Sequence, residues 1–418
     1  MADEKNWIRE AMFYHIYPLG FTGAPLRNEG EATAGGRILE VLDWIEHFKE
    51  LGINAIYFGP IFESVSHGYD TTDYYQTDSR LGSKEDFKKV FTALHENGIR
   101  VIVDGVFNHV GRKFFAFLDV QKNLEQSDYK DWFCNLNFSW QSPLGDSFSY
   151  ENWHGAAELV KLNLRNPAVC EHLLGAVGMW MDELGIDGLR LDAADCVDRE
   201  FFKRLHSFTK GKREDFWLMG EIIHGDYRVW ANDEMLDSFT NYECWKGIYS
   251  SHNDKNYFEI AYSLKRQFGQ GGLYENLCLY NFLDNHDVNR IGSLLKQREN
   301  LKNAYTLLYM MPGIPSIYYG SEWGIEGVKG QGMDADLPLR PKLDLEEMCA
   351  QETDLPAHIR ELAKIRKESD AVKYGAYDEV LVRNKQFVFA RRSGEQYKVI
   401  ALNLTDHADT LHLSYQGK

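Results

Sequence analysis

The sequence predicts an α/β protein: a (β/α)8 TIM barrel with a subdomain inserted after strand 3 and a small C-terminal antiparallel β domain. Two observations carry the barrel. LGINAIYFGP from Leu51, NGIRVIVDGV from Asn97 and LGIDGLRLDA from Leu184 repeat one plan: a glycine and an isoleucine lead into an apolar run that ends in a polar turn. In addition, four apolar runs end on a carboxylate: RVIVD at Asp104, GLRLD at Asp192, FWLMGE at Glu221 and YNFLDNHD at Asp287. Runs without alternation read as strands buried on both faces, as in a parallel sheet wrapped by helices. In a closed barrel, acids at the far ends of several strands share one mouth, which is where barrel chemistry sits.

Strand 1 lies in AMFYHIYP, followed by a helix from Arg37, strand 2 in NAIYFGP and a long loop to Arg80. Ser83 then precedes Lys84-Glu85-Asp86 as an N-cap with an acidic first turn, and Phe87, Val90, Phe91 and Leu94 form an inner helical stripe. Gly98 stops this helix in the left-handed C′ position, as Gly52 and Gly185 do in the other copies of the repeat. After strand 3, residues 109–163 change to mixed aromatic and polar text with no sustained period, which is too long for an ordinary loop and predicts the inserted subdomain. Asn166-Pro167 caps and opens the next helix, whose stripe runs through Val169, Leu173, Val177, Trp180 and Leu184. Strands 4 to 8 follow in GLRLD, FWLMGE, SFTNYE, LYNFLD and SIYYG, and a last helix spans 355–369. The barrel thus takes 1–108 and 164–369. EVLVRN, QFVFARR, YKVIALNL and DTLHLS alternate between turn residues and predict the antiparallel domain over 370–418.

Composition agrees. A chain of 418 residues with 44% hydrophobic and 14% aromatic residues can bury a large core with an insertion and an appendage. Its net charge of −17 argues against nucleic acid or an anionic membrane as partner, because phosphate binding needs a basic surface. The N-terminus lacks an apolar signal core and no uncharged stretch reaches membrane-spanning length, so a soluble cytoplasmic protein is expected. Six scattered cysteines without a CxxC pair read as reduced core residues, and the histidines show no HExxH spacing, so no zinc site is expected.

The chain resembles the α-amylase superfamily, glycoside hydrolase family 13, over nearly its full length. DGVFNH (Asp104 to His109), GLRLDAAD (Gly188 to Asp195), GEI (Gly220 to Ile222) and FLDNHD (Phe282 to Asp287) are similar to that family's four sequence regions, in the family's order. HGYDTTDYYQTDSRLGSKEDF from His67 and PGIPSIYYGSEWG from Pro312 extend the similarity. The resemblance implies a retaining α-glycosidase with Asp192 as nucleophile, Glu221 as general acid/base and Asp287 as the acid that binds sugar hydroxyls more tightly in the transition state. Retaining hydrolysis needs one ionised and one protonated carboxyl, about 5 to 5.5 Å apart, which neighbouring strand ends can supply.

Arg190 lies two residues before Asp192, on the same face of the strand, where a fixed cation lowers a carboxyl pKa and keeps the nucleophile anionic. Glu221 must instead hold a proton near neutral pH, which burial and neighbouring carboxylates favour. Family similarity further implies that His109 and His286 donate to hydroxyls of the sugar being cleaved, that Tyr69 stacks on its apolar face, and that Asp104 supports Arg190. Asn108 matches a frequent calcium ligand of the family, and an oxygen-rich site would suit Ca²⁺; no cofactor is otherwise required. Arg290 either binds sugar or pairs with a surface acid. Taken singly, an Asp after a strand is usually a turn or cap residue and a lone histidine a structural donor. Four such coincidences in family order outweigh that reading for the three acids.

LVKLN from Leu159, followed by Arg165-Asn166-Pro167, is similar to neopullulanases, cyclomaltodextrinases and maltogenic amylases, and Asp195-Cys196 replaces the Lys-His pair of many α-amylases. Strand 1 begins almost at once, so the extra N-terminal dimerisation domain of the first group is not expected and the oligomeric state stays open. The implied activity is hydrolysis of α-1,4 bonds in maltooligosaccharides or cyclodextrins, towards which Ala193 leans. An α-1,6-glucosidase or an α-glucan transglycosylase of the same fold is the alternative. Silent transporter subunits of this fold lose the acids and gain a membrane anchor, and this sequence shows neither change.

Overall fold

The computed structural model describes residues 7–30, 36–332, 334–413 and 415. Eight parallel strands form the barrel: β1 (Phe13–Ile16), β2 (Ala55–Phe58), β3 (Arg100–Gly105), β4 (Gly188–Leu191), β5 (Trp217–Gly220), β6 (Ser238–Phe239), β7 (Tyr280–Phe282) and β8 (Ile314–Tyr318). Hydrogen-bonded neighbours run β6-β5-β4-β3-β2-β1-β8-β7. A parallel bridge between Thr240 and Tyr280, with the Asn241 N–H donating to the Tyr280 carbonyl at 2.9 Å, joins the two ends.

Alternation along the strands sorts their side chains into two cores. Phe13, Ala55, Tyr57, Ile102, Trp217, Met219 and Tyr280 fill the barrel interior. Tyr14, Ile56, Phe58, Val101, Val103, Leu189 and Leu218 face the helices. Arg190, between the helix-facing Leu189 and Leu191, therefore points inward, and it is in register with Asp104 on β3 and Met219 on β5. One step beyond the paired Leu191 and Gly220 the chain reaches Asp192 and Glu221. The pleat thus delivers both acids to the C-terminal rim.

The repeat is built as its glycines require. Gly52, Gly98 and Gly185 have φ of 76°, 72° and 72°, a region open to glycine at little cost. The helix Lys84–Glu96 starts on a full capping box: Ser83 accepts from the Asp86 N–H, and Asp86 accepts from the Ser83 N–H. Asn166 caps Pro167–Met179, with Pro167 in the first turn. The last barrel helix is Leu355–Glu368.

The segment after β3 returns as His109–Gly111, which pairs antiparallel with Ala156–Lys161; that strand pairs in turn with Asn152–Trp153. Trp153, Ala156 and Leu159 of this small sheet line the cavity at the barrel mouth, and the helix Phe115–Asn123 lies between its strands in the chain. At the C-terminal end, Ala376–Val382, Gln386–Ser393 and Gln396–Asn403 form an antiparallel three-stranded sheet. The expected fourth strand, DTLHLS, does not form over Asp409–Leu413, and Ser414 lies outside the described residues. Asn403 and Thr405 tie down the carbonyl of His407 in a turn, and Leu413 stays 38% exposed. Among the described residues no helix is long and apolar enough to cross a membrane.

Candidate active site

Arg190 organises the rim. Its guanidinium is almost fully buried and forms ion pairs with three carboxylates: Nη1 donates to Asp104 Oδ1 at 2.7 Å and to Asp192 Oδ1 at 2.9 Å, and Nη2 lies 2.8 Å from Glu221 Oε2. Two arms of one planar fork thus hold the acids that follow β4 and β5. Asp104 is in turn fixed by the Tyr57 and Tyr69 hydroxyls, which donate to its Oδ2 at 2.8 and 2.9 Å. Glu221 also accepts from the Ala193 N–H at 3.2 Å and from the Tyr242 hydroxyl at 3.2 Å. Burial pushes the Tyr242 hydroxyl well above its ordinary range, so it stays a neutral donor.

Asp287 stands across the mouth, after β7. His286 Nε2 lies 3.1 Å from its Oδ2 and Arg340 Nη2 3.1 Å from its Oδ1. Burial opposes ionisation, but His286 and Arg340 outweigh it and hold this carboxyl well below the usual range. Asp192 behaves oppositely. Burial, with Glu221, Asp104 and Asp287 nearby, pushes its carboxyl well above the usual range against the pull of Arg190. Arg190 pulls the Asp192 carboxyl down, as expected, but burial first and the neighbouring acids second outweigh it.

A cavity of about 860 Å³ opens over these groups, lined by Asp192, Glu221 and Asp287 together with Tyr69, His109 and Tyr242. His109 is buried, which lowers its pKa to about 4 and keeps it neutral. Its Nδ1 accepts from the Asn108 amide at 3.2 Å, which leaves the proton on Nε2, a donor with no protein partner, 4.0 Å from Asp192 Oδ2. Tyr69 lines the cavity with one ring face taken by His286, whose centroid is 5.5 Å away. His286 and Arg190 stand behind the lining. His286 Nε2 meets Asp287 and the Tyr69 hydroxyl.

Arg290 is a correction. It is fully buried outside the cavity, donates to the Tyr319 and Leu339 carbonyls and to Ser321 Oγ, and packs 4.0 Å from the Tyr318 ring centre. It binds neither sugar nor a surface acid, and serves to lock the loops after β7 and β8 together. Asn108 keeps a buried Oδ1 without a partner. Among the described residues, no group of three or more His, Cys, Asp or Glu side chains is placed to hold a metal.

Sequence reasoning missed Arg340, Tyr242 and Trp153. Trp153 comes from the inserted hairpin, lines the cavity and carries an unpartnered indole N–H. None of the three lies in a motif, and only tertiary contact brings them to the acids.

A closed parallel barrel with paired acids in a cavity at its C-terminal rim has the architecture of a glycoside hydrolase. The chain belongs to the α-amylase family of these enzymes: the family description "Alpha amylase, catalytic domain" matches residues 15–355. A cyclomaltodextrinase from a Bacillus species is 31% identical over 428 residues, covering 97% of this chain and 74% of the relative. Neopullulanase 2 of Thermoactinomyces vulgaris is 34% identical over 352 residues, covering 77% and 58% of the two chains. Among solved structures, the cyclic alpha-maltosyl-(1→6)-maltose hydrolase of Arthrobacter globiformis in complex with that sugar superposes with a TM-score of 0.83 at 27% identity, over 95% of this chain and 91% of the other. The debranching enzyme of Nostoc punctiforme soaked with acarbose gives 0.78 at 30% identity, over 96% and 90%.

Proposed function

We propose that this enzyme is a retaining α-glycosidase acting on α-1,4 bonds of maltooligosaccharides or cyclodextrins. The observation that carries the reading is the Arg190 fork, which binds Asp192 and Glu221 at the floor of one cavity while Asp287 faces them. Asp192 attacks the anomeric carbon and Glu221 gives its proton to the leaving oxygen; Glu221 then deprotonates the water that releases the sugar from Asp192. His109 donates through Nε2 to a sugar hydroxyl, and Tyr69 supplies the apolar wall. The names of the cyclomaltodextrinase and neopullulanase relatives support the substrate class.

A second reading, cleavage of α-1,6 bonds, is favoured by the Arthrobacter and Nostoc enzymes, which the chain matches over nearly its whole length. Incubation with maltoheptaose, β-cyclodextrin, pullulan and isomaltose, with products resolved by chromatography, separates the two. Opening of β-cyclodextrin and shortening of maltoheptaose support the first reading, and products from isomaltose alone support the second. New, longer oligosaccharides would show that a sugar hydroxyl intercepts the glycosyl-enzyme. A cytoplasmic site of action is part of the proposal, supported by an intracellular maltogenic amylase of Bacillus subtilis that is 31% identical over 88% of this chain.

A further inference from the structure

We propose that Arg340 is the positioning residue for Asp287: its guanidinium, shared with Asp336, holds Asp287 turned into the cavity during turnover. The inference rests on the reading of Asp287 as the acid that binds the transition state. Arg340 follows β8, 53 residues beyond Asp287 in the chain, and its side chain is 7% exposed. All three arms are committed. Nη2 meets Asp287 Oδ1 at 3.1 Å and Asp336 Oδ2 at 3.2 Å, Nε donates to the His286 carbonyl at 3.0 Å, and Nη1 donates to the Tyr17 hydroxyl at 3.3 Å. The Tyr17 ring lies 4.4 Å beneath the guanidinium carbon and fixes its plane.

The fork thus grips the backbone of residue 286 and the carboxylate of residue 287 at once. A rotation of Asp287 away from its place breaks this charge-assisted bond. Asp336 competes for the same Nη2 while its other oxygen meets Lys329 Nζ at 2.8 Å, so the loop after β8 sets how much of the cation Asp287 receives. Around Asp287 the remaining charged and titratable groups are His286 on its other oxygen, Lys329 on its carbonyl, and Arg190, Asp192 and Glu221 across the cavity. Tyr17, Tyr69 and Tyr242 surround it, and His15 and His67 lie behind. Of these groups, only His286 and Arg340 place a donor on the carboxylate itself.

The test is steady-state hydrolysis of maltoheptaose for Arg340→Met, Arg340→Lys, Asp336→Asn and Asp287→Asn. Arg340→Met should lower kcat about 100-fold with KM little changed, because a misaligned transition-state contact is lost and not a ground-state one. Arg340→Lys keeps the charge but not the fork, so its kcat should stay low. Asp336→Asn should lower kcat less than Arg340→Met, since Asp287 keeps its donor. A rise in KM alone in Arg340→Met overturns the proposal and makes Arg340 a direct sugar contact. If Arg340→Met does not fold, Arg340→Lys decides: retained kcat with raised KM overturns the proposal equally. An active Asp287→Asn would bring down the underlying reading, whereas an inactive one with a rise in KM alone in Arg340→Met brings down only the role of Arg340.

Discussion

Replacing Arg190 by methionine should destabilise the protein by about 3 to 5 kcal/mol at neutral pH, the range for removing one partner of a buried ion pair. The structure indicates why the cost is not three times larger. Asp192 and Glu221 keep 12% of their side chains exposed to the cavity, so water or a proton can compensate them. Asp104 is 0% exposed and bears the full loss, softened only by the two tyrosine hydroxyls on its other oxygen. The deficit should also depend on pH. Burial already raises the Asp192 carboxyl, and removing Arg190 removes the chief opposing pull. The folded variant then binds a proton more tightly than the unfolded chain, so stability is regained as pH falls through the raised value. Urea unfolding of parent and variant at pH 7 and pH 4.5 checks this. A difference below 1 kcal/mol at pH 7, or an equal difference at both pH values, would refute the view that Arg190 compensates crowded carboxylates.

Asp192→Asn should abolish turnover yet unfold no earlier than the parent at neutral pH, since it removes a carboxylate that burial and its neighbours disfavour; thermal melting checks it. Glu221→Gln should lose far more rate on natural glucans than on aryl glycosides with activated leaving groups, and equal losses would exclude it as the acid. Gly98→Ala should cost about 1 to 2 kcal/mol, because nothing lies within 4 Å of an added Cβ and only the left-handed backbone resists. Ser83→Ala should cost about 1 kcal/mol in urea unfolding through loss of the cap.

What could be read from the sequence is local or repetitive. The three repeat glycines predicted both where helices stop and where β2, β3 and β4 begin, because a left-handed C′ residue is a backbone requirement visible in one letter. The acids at Asp192 and Glu221 were legible because a buried parallel strand ends abruptly at the rim. Arg190 was placed on the right face by counting two residues, but its three-way sharing was not, since Asp104 and Glu221 reach it only through β3 and β5. Arg290 shows the same limit in reverse. Three residues from Asp287, it looked able to reach sugar, yet the turn after β7 points it into the loops, where the carbonyls of Tyr319 and Leu339 receive it. DTLHLS alternates as a strand should, but alternation does not itself secure a pairing partner, and no strand forms over Asp409–Leu413.

The most direct measurement traps the covalent intermediate. α-Maltosyl fluoride needs little acid assistance to leave, and Glu221→Gln lacks the base that would release the sugar, so the glycosyl-enzyme should accumulate. Mass spectrometry of the digested protein should then find the maltosyl group on the peptide containing Asp192 and nowhere else. A label on a different carboxylate, or no adduct together with a product of inverted anomeric configuration, would contradict the account.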